Sequence, residues 1–293
     1  MGYLYLLCVA IMFSFGGTCA KLINPYFAPE YITFFRFAFG VFFLFLLKLI
    51  KGQKMQKNFA ACVKSLIGWL IFGAVMKWGA YLTENYGFSL GPSFGNIVAQ
   101  PSQCVFLTLT SVFLFKEKLS FRKTVCIALC MIGVLCISWN GRSLSEFFRE
   151  NILVTGLFVL AGMCSGAHVL AQKMTGSRMD IVDSNLTIFG IAAVLSAIPL
   201  IPQTAGGALA DIHPGISCFL AILAFGFITG IGFYLNAKAI PLVPLYMVPV
   251  IQSTMVIFAI LWGILFFHES VTVYIIIGTV LFMTGLLGLQ LSK

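Results

Sequence analysis

Charge is what this sequence has least of: Asp, Glu, Lys and Arg together make up 9 % of its 293 residues. Soluble domains carry about a quarter, so no water-exposed surface of ordinary composition can be built from it. Acid is scarcer still, with 9 carboxylates against 18 Lys and Arg. The resulting charge of +9 does not point to nucleic acid, because the basic residues form neither an amphipathic stripe nor a patch interleaved with aromatics. Cys-x-x-Cys pairs are missing. The nine cysteines lie in or beside apolar runs, which excludes a disulfide framework and leaves them as small apolar packing residues. His-Glu-x-x-His, glycine-rich phosphate loops and Cys/His clusters are missing too, so no metal and no nucleotide cofactor is expected. Nor is there a polar stretch long enough for a separate soluble domain.

What is present is apolar. Sixty per cent of the residues are hydrophobic, with 30 Phe and 28 Gly, and the mean hydropathy is +1.02. Large apolar groups suit lipid contact and small ones suit close helix packing. A helix needs about 20 apolar residues to cross the hydrocarbon layer. Charges, Gly and Pro divide the chain into ten such stretches, at 3–21, 30–50, 65–88, 93–115, 123–140, 152–172, 184–203, 216–238, 244–267 and 270–291. The first begins without a preceding Lys or Arg and without a cleavage site, which marks it as a membrane helix rather than a removable signal.

Lys51, Lys54, Lys57 and Lys64 follow the second stretch, and Lys116, Lys118, Arg122 and Lys123 follow the fourth. The positive-inside rule places both loops in the cytoplasm. A multi-pass protein of the cell membrane with both termini cytoplasmic follows.

The chain also repeats itself. An offset of 152 pairs Pro92 with Pro244, Gln100 with Gln252, Phe106 with Phe258, Glu117 with Glu269 and Gly133 with Gly285. An offset of 153 pairs Phe72-Gly73 with Phe225-Gly226, and Gly79 and Tyr81 with Gly232 and Tyr234. Two halves follow, 3–140 and 152–291. An odd five spans per half inserts the second copy upside down, the plan of secondary transporters whose site lies at the midplane between the repeats. The expected fold is all-α and integral to the membrane, ten transmembrane helices as two inverted five-helix repeats.

In each half a helix ends Phe-x-Glu, at Phe115-Lys-Glu117 and Phe267-His-Glu269, before a helix with a late glycine, Gly133 or Gly285. With Pro92 and Pro244 opening the preceding helices, the chain resembles the EamA family of the drug/metabolite transporter superfamily over nearly its whole length. The resemblance implies a ten-helix exporter or exchanger of small metabolites, amino acids among them. Its motifs are structural and name no substrate.

An ionisable group within a membrane helix is a site hypothesis by default. Lys77 stands at the middle of its stretch, too deep to reach either interface, which suits an anchor for a substrate carboxylate or phosphate; a structural ion pair or an uncharged buried amine is the alternative. Glu84 lies seven residues later, about 10 Å toward the outside, at the depth of Arg36. Those two form an outer gate, or Glu84 carries a coupling proton. His168 titrates near neutral pH as histidines do and suits a proton relay, or it is a packing residue. Gln100 and Gln252 recur at equivalent depths, with Tyr81 and Tyr234 beside them; buried amides need partners, which a substrate or the other half supplies. Trp78 adds an aromatic surface. The expected substrate-binding set is therefore Lys77, Trp78, Tyr81, Gln100, Tyr234 and Gln252, and the gating or coupling set Arg36, Glu84 and His168.

Gly91-Pro-Ser93-Phe-Gly95 matches the G-x-S-x-G hydrolase pattern, but no strand precedes it and its repeat partner has no serine, so the match is accidental. An intramembrane hydrolase would explain only such serines, and a channel, the other alternative beside a receptor, would need a pore ring from oligomers and a selectivity-filter-like loop that the sequence does not show. The expected partners are a small-molecule substrate, the lipid bilayer and, as a candidate coupling ion, protons.

Overall fold

The structure, a computed structural model, describes residues 1–91, 98–115, 120–139, 141, 143, 152–176, 178–205, 213–239, 242, 254–268 and 270–291. All regular structure among the described residues is helical. Five stretches are long and apolar enough to cross a membrane: Gly2–Ile23, Pro29–Ile50, Phe59–Leu90, Ile152–Thr175 and Ile216–Ala239. Shorter apolar helices accompany them, and Leu, Ile and Phe side chains point outward along their length. This is a multi-pass membrane protein.

The first stretch is α1 (Gly2–Ser14) and α2 (Gly16–Ile23), joined at Phe15, which keeps helical dihedrals. α3 (Pro29–Ile50) starts where Ala28 is extended and Pro29 enters the first turn, where a missing N–H costs nothing. Glu30 at its start and Lys48 at its end suit the helix dipole. α4 (Phe59–Leu90) is 32 residues long, about 48 Å. It begins before the expected 65 because Lys64 does not stop a helix whose end projects beyond the hydrocarbon. α5 (Ala99–Phe115) and α6 (Phe121–Trp139) complete the first half.

In the second half, α7 (Ile152–Thr175) is followed by α8 (Ile181–Ala197). The Asp180 carboxylate caps α8 by accepting from the Val182 and Asp183 amides, which starts the helix three residues before the expected 184. The expected span 184–203 is not one helix. α8 stops at Ala197, and the short α9 (Leu200–Ala205) follows a turn at Ile198 and Pro199, as proline cannot continue the hydrogen-bond ladder. The expected span 216–238 keeps its ends but not its winding: α10 (Ile216–Phe227) passes through a π turn, Ile228–Gly232, into α11 (Phe233–Ala239). α12 (Met255–Phe267) ends at His268 in the left-handed region, and α13 (Val273–Leu291) closes the chain. Pro92, Pro244, Glu117, Glu269, Ser93 and Gly95 lie outside the described residues.

Packing interleaves the two sequence repeats, and its contacts come in exchanged pairs. α4 lies on α7 as α10 lies on α2; α3 meets α10 as α8 meets α4; α5 meets α7 as α12 meets α1. α6 and α13 pack on each other, and α3 on α8. At the α6–α13 contact a Cβ on Gly133 would stand 2.7 Å from the Gly278 carbonyl oxygen and the Phe282 nitrogen, and one on Gly285 would stand 2.7 Å from the Cys126 oxygen and 2.8 Å from the Cys130 nitrogen. Under the 152-residue offset these are one contact written twice. Because the obstructing atoms are backbone, Gly133→Val and Gly285→Val are each expected to lower stability by about 1–3 kcal/mol through overpacking, and by similar amounts. Thermal unfolding in detergent checks this, and strongly unequal shifts would show that the interface is not symmetric.

Candidate functional site

The polar centre is built around Arg36, on α3 and buried. Its Nη1 donates to Glu84 Oε2 at 2.6 Å and its Nε to Thr229 Oγ1 at 3.2 Å. The guanidinium stacks on Tyr81, 3.3 Å from the ring centroid, and on Phe225 at 4.1 Å. Glu84 belongs to α4, so the ion pair joins two helices of the first half; Thr229 belongs to the π turn, so that hydrogen bond crosses to the second. Thr229 is held there by a close backbone approach: a Cβ on Gly40 would stand 3.0 Å from the Thr229 methyl, and one on Gly230 would stand 2.6 Å from the Gly40 oxygen.

Two turns along α4, Lys77 is 5 % exposed. Its ammonium sits 4.2 Å from the Tyr81 ring centroid and 4.4 Å from that of Phe233 on α11. Among the described residues it has no hydrogen-bond or ion-pair partner. One more polar atom nearby is buried and unpaired, His168 Nε2. The His168 ring lies against Phe189 and Phe233, and its Nδ1 is 3.0 Å from the Gly73 carbonyl oxygen. A carbonyl can only accept, so Nδ1 carries the proton and, in a neutral ring, Nε2 is left as an acceptor. Phe37, stacked on Tyr81 and tilted against Phe189, closes the aromatic wall.

Two cations therefore face one carboxylate, and an ammonium and an imidazole nitrogen lack partners. Buried polar groups are nearly always paired, so the arrangement is complementary to a ligand that brings an anionic group and a donor. Both sequence repeats contribute: α3 and α4 carry the charges, and the π turn, α7, α8 and α11 supply Thr229, His168, Phe189 and Phe233.

The fold itself has relatives. A crystal structure 17 % identical in sequence superposes with a TM-score of 0.66 over 98 % of this chain and 96 % of the other, and it shares the fold. The family model of the EamA-like transporter family matches twice, over residues 1–139 and 153–291. The chain belongs to the EamA-like transporter family. None of the curated proteins matches it.

In this EamA-like chain the expected residues Lys77, Tyr81, Arg36, Glu84 and His168 converge on one centre. Trp78 is partly buried and packs against the cluster that holds Phe37, Tyr81 and Phe189. Gln100 donates to Met255 Sδ at 3.3 Å, bridging α5 and α12. Tyr234 is turned toward the end of α3, where its hydroxyl accepts from Lys51, and the neighbouring Phe233 faces Lys77 instead. The π turn accounts for the change: its wider winding shifts the angular phase of all that follows, so a match in sequence with Tyr81 is not a match in direction. Gln252 lies outside the described residues. The sequence reading missed Thr229, Phe225 and Phe233; the one signal was the helix-weakening run Ile228-Thr-Gly-Ile-Gly232 inside an apolar stretch.

Proposed function

We propose that this chain is a secondary transporter, an exporter or exchanger, that moves a small organic anion or zwitterion such as an amino acid by alternating access. It sits in the cell membrane with both termini in the cytoplasm, as ten spans in two inverted halves, 3–140 and 152–291. The observation that carries the substrate class is Lys77, a cation buried at mid-helix with no acid of its own. A fixed uncompensated charge at that depth is costly, and a substrate carboxylate removes the cost on binding. Tyr81 and Phe233 wall the position, and His168 Nε2 accepts a donor from the substrate. Glu84 balances one of the two cations and holds Arg36. Arg36 takes part in gating through Thr229, since that bond must break for the halves to part on the outer side. A proton is the candidate coupling ion.

The test is counterflow with purified protein in liposomes, using a radiolabelled panel of amino acids, carboxylates, phosphorylated metabolites and organic cations, with and without a proton gradient. Saturable exchange of at least one carboxylate-bearing or zwitterionic compound is expected. Exchange of cations alone would overturn the assignment.

A further inference from the structure

A second polar cluster lies at the opposite end of α3, about 18 Å from Arg36 by helix rise and on the far side of Lys77. Lys48 pairs with Asp183 at the start of α8, the two side chains being 7 % and 1 % exposed. The other Asp183 oxygen accepts from the Gln56 amide at 2.9 Å. The Gln56 side chain then spans to the facing loop, its oxygen accepting from the Asp180 amide at 2.7 Å and its nitrogen donating to the Arg178 carbonyl at 3.2 Å. Cys62 Sγ adds a contact to the same carbonyl at 3.5 Å, and Lys51 donates to Tyr234 nearby.

Every one of these bonds joins residues 48–62 to the second half. At the other end the pattern is different: the polar bonds of Arg36 with Glu84, Tyr86 with Glu30 and Asn85 with Thr33 all stay within the first half. What joins the halves there is the Arg36–Thr229 hydrogen bond and an apolar cluster around Ile23, Phe88, Phe158 and Cys218. A gate must be made of contacts that part when the halves part, and the described ion pair that does so is Lys48–Asp183.

Burial alone would make such a pair a permanent clamp, since an unpaired charge left inside is expensive. Here a cavity of about 300 Å³, lined by Lys48, Gln53, Lys54, Gln56, Asp180 and Asp183, adjoins the pair, so a side chain that leaves its partner has a space to enter. Each strap bond can be exchanged for one to water at small net cost. We infer that Lys48, Asp183 and Gln56 are the inner gate, a strap that closes the cytoplasmic side over Lys77 and opens by exchanging its bonds for water. The inference rests on the transporter reading for its purpose and on the positive-inside rule for its side of the membrane.

The test needs no substrate, so a failed counterflow experiment and a failed gate are separate results. Hydrogen–deuterium exchange is followed on the intact chain in lipid nanodiscs for the native protein, Asp183→Asn, and Gln56→Ala, which leaves both charges paired. With Asp183→Asn, exchange is expected to rise about tenfold or more, the effect of a shift of one decade in the closed-to-open ratio. The rise falls in residues 66–77 of α4 and 168–175 of α7, while 30–36 and 84–90 stay as in the native protein. Gln56→Ala produces the same pattern with a smaller rise. An increase confined to 48–58 and 178–184 in both variants would show a local staple, and one spread evenly to the outer ends would show general support of the fold; either overturns the gate. Should Asp183→Asn fail to fold, the pattern in Gln56→Ala decides.

Discussion

Lys77→Met is expected to remove counterflow of the transported anion while raising the protein's thermal stability. The two effects have one cause. In the substrate-free protein Lys77 is a buried ammonium touched by two aromatic rings and by no acid. Cation–π contact returns about 0.5–2 kcal/mol, against a cost of about 2.5–3.5 kcal/mol for a lysine at the centre of a membrane helix even on permissive scales. Methionine is close in length and flexible enough to fill the same space, so the variant loses little packing and sheds the uncompensated charge. With substrate bound the sign reverses. Truncating one partner of a buried, hydrogen-bonded charge pair costs about 2–5 kcal/mol, which at a factor of ten per 1.4 kcal/mol is about 30-fold to several thousand-fold in affinity. Lys77→Arg keeps the charge but spreads it over a planar group already accommodated next door by Arg36, and should retain part of the activity. Melting curves and counterflow on the same preparations check both halves of the expectation. Unchanged affinity in Lys77→Met would sink the anchor role, and a fall in melting temperature would show that Lys77 has a structural partner.

The membrane class and the family could be read from the chain because apolar runs and an internal repeat are local or periodic signals. Lys77, Glu84 and Arg36 were legible for a similar reason: a charge in an apolar run announces itself. Their partners were not. Thr229 meets Arg36 across 193 positions of sequence and Asp183 meets Lys48 across 135, and no periodicity links residues so far apart. Lys48 stands near the end of its expected span, where a lysine draws no attention, and Asp183 stands one residue outside the next half's 184–203. Tyr234, expected in the binding set, points away and Phe233 faces Lys77 instead, because repeat alignment carries sequence order and not helical phase, and the π turn alters the phase. The reading of Arg36 with Glu84 as an outer gate passed over their shared place in the first half, 3–140, and the contact to Thr229 needed coordinates. Both helices belong to the same half, so the ion pair fixes α3 to α4, and the bond that crosses is the weaker one to Thr229.

That arrangement makes the three charges a unit, and a double-mutant cycle measures it. Glu84→Gln leaves Arg36 facing a neutral amide, with Lys77 a second cation beside the same Tyr81 ring. Removing one member of a buried pair typically costs about 3–5 kcal/mol because the remaining charge is left uncompensated; here two remain, and they repel. Adding Lys77→Met removes one of them. The cluster then carries one cation and no acid, the same net charge as the native set of two cations and one acid. Glu84→Gln is therefore expected to cost clearly less in the Lys77→Met background than alone, with a coupling of about 0.5–3 kcal/mol in the range found for neighbouring groups of one network. Thermal or denaturant unfolding of the four proteins yields that number without any transport assay. Equal costs in the two backgrounds would mean that Lys77 does not sense Glu84, and the excess positive charge held for a substrate anion would then belong to Lys77 alone rather than to the cluster.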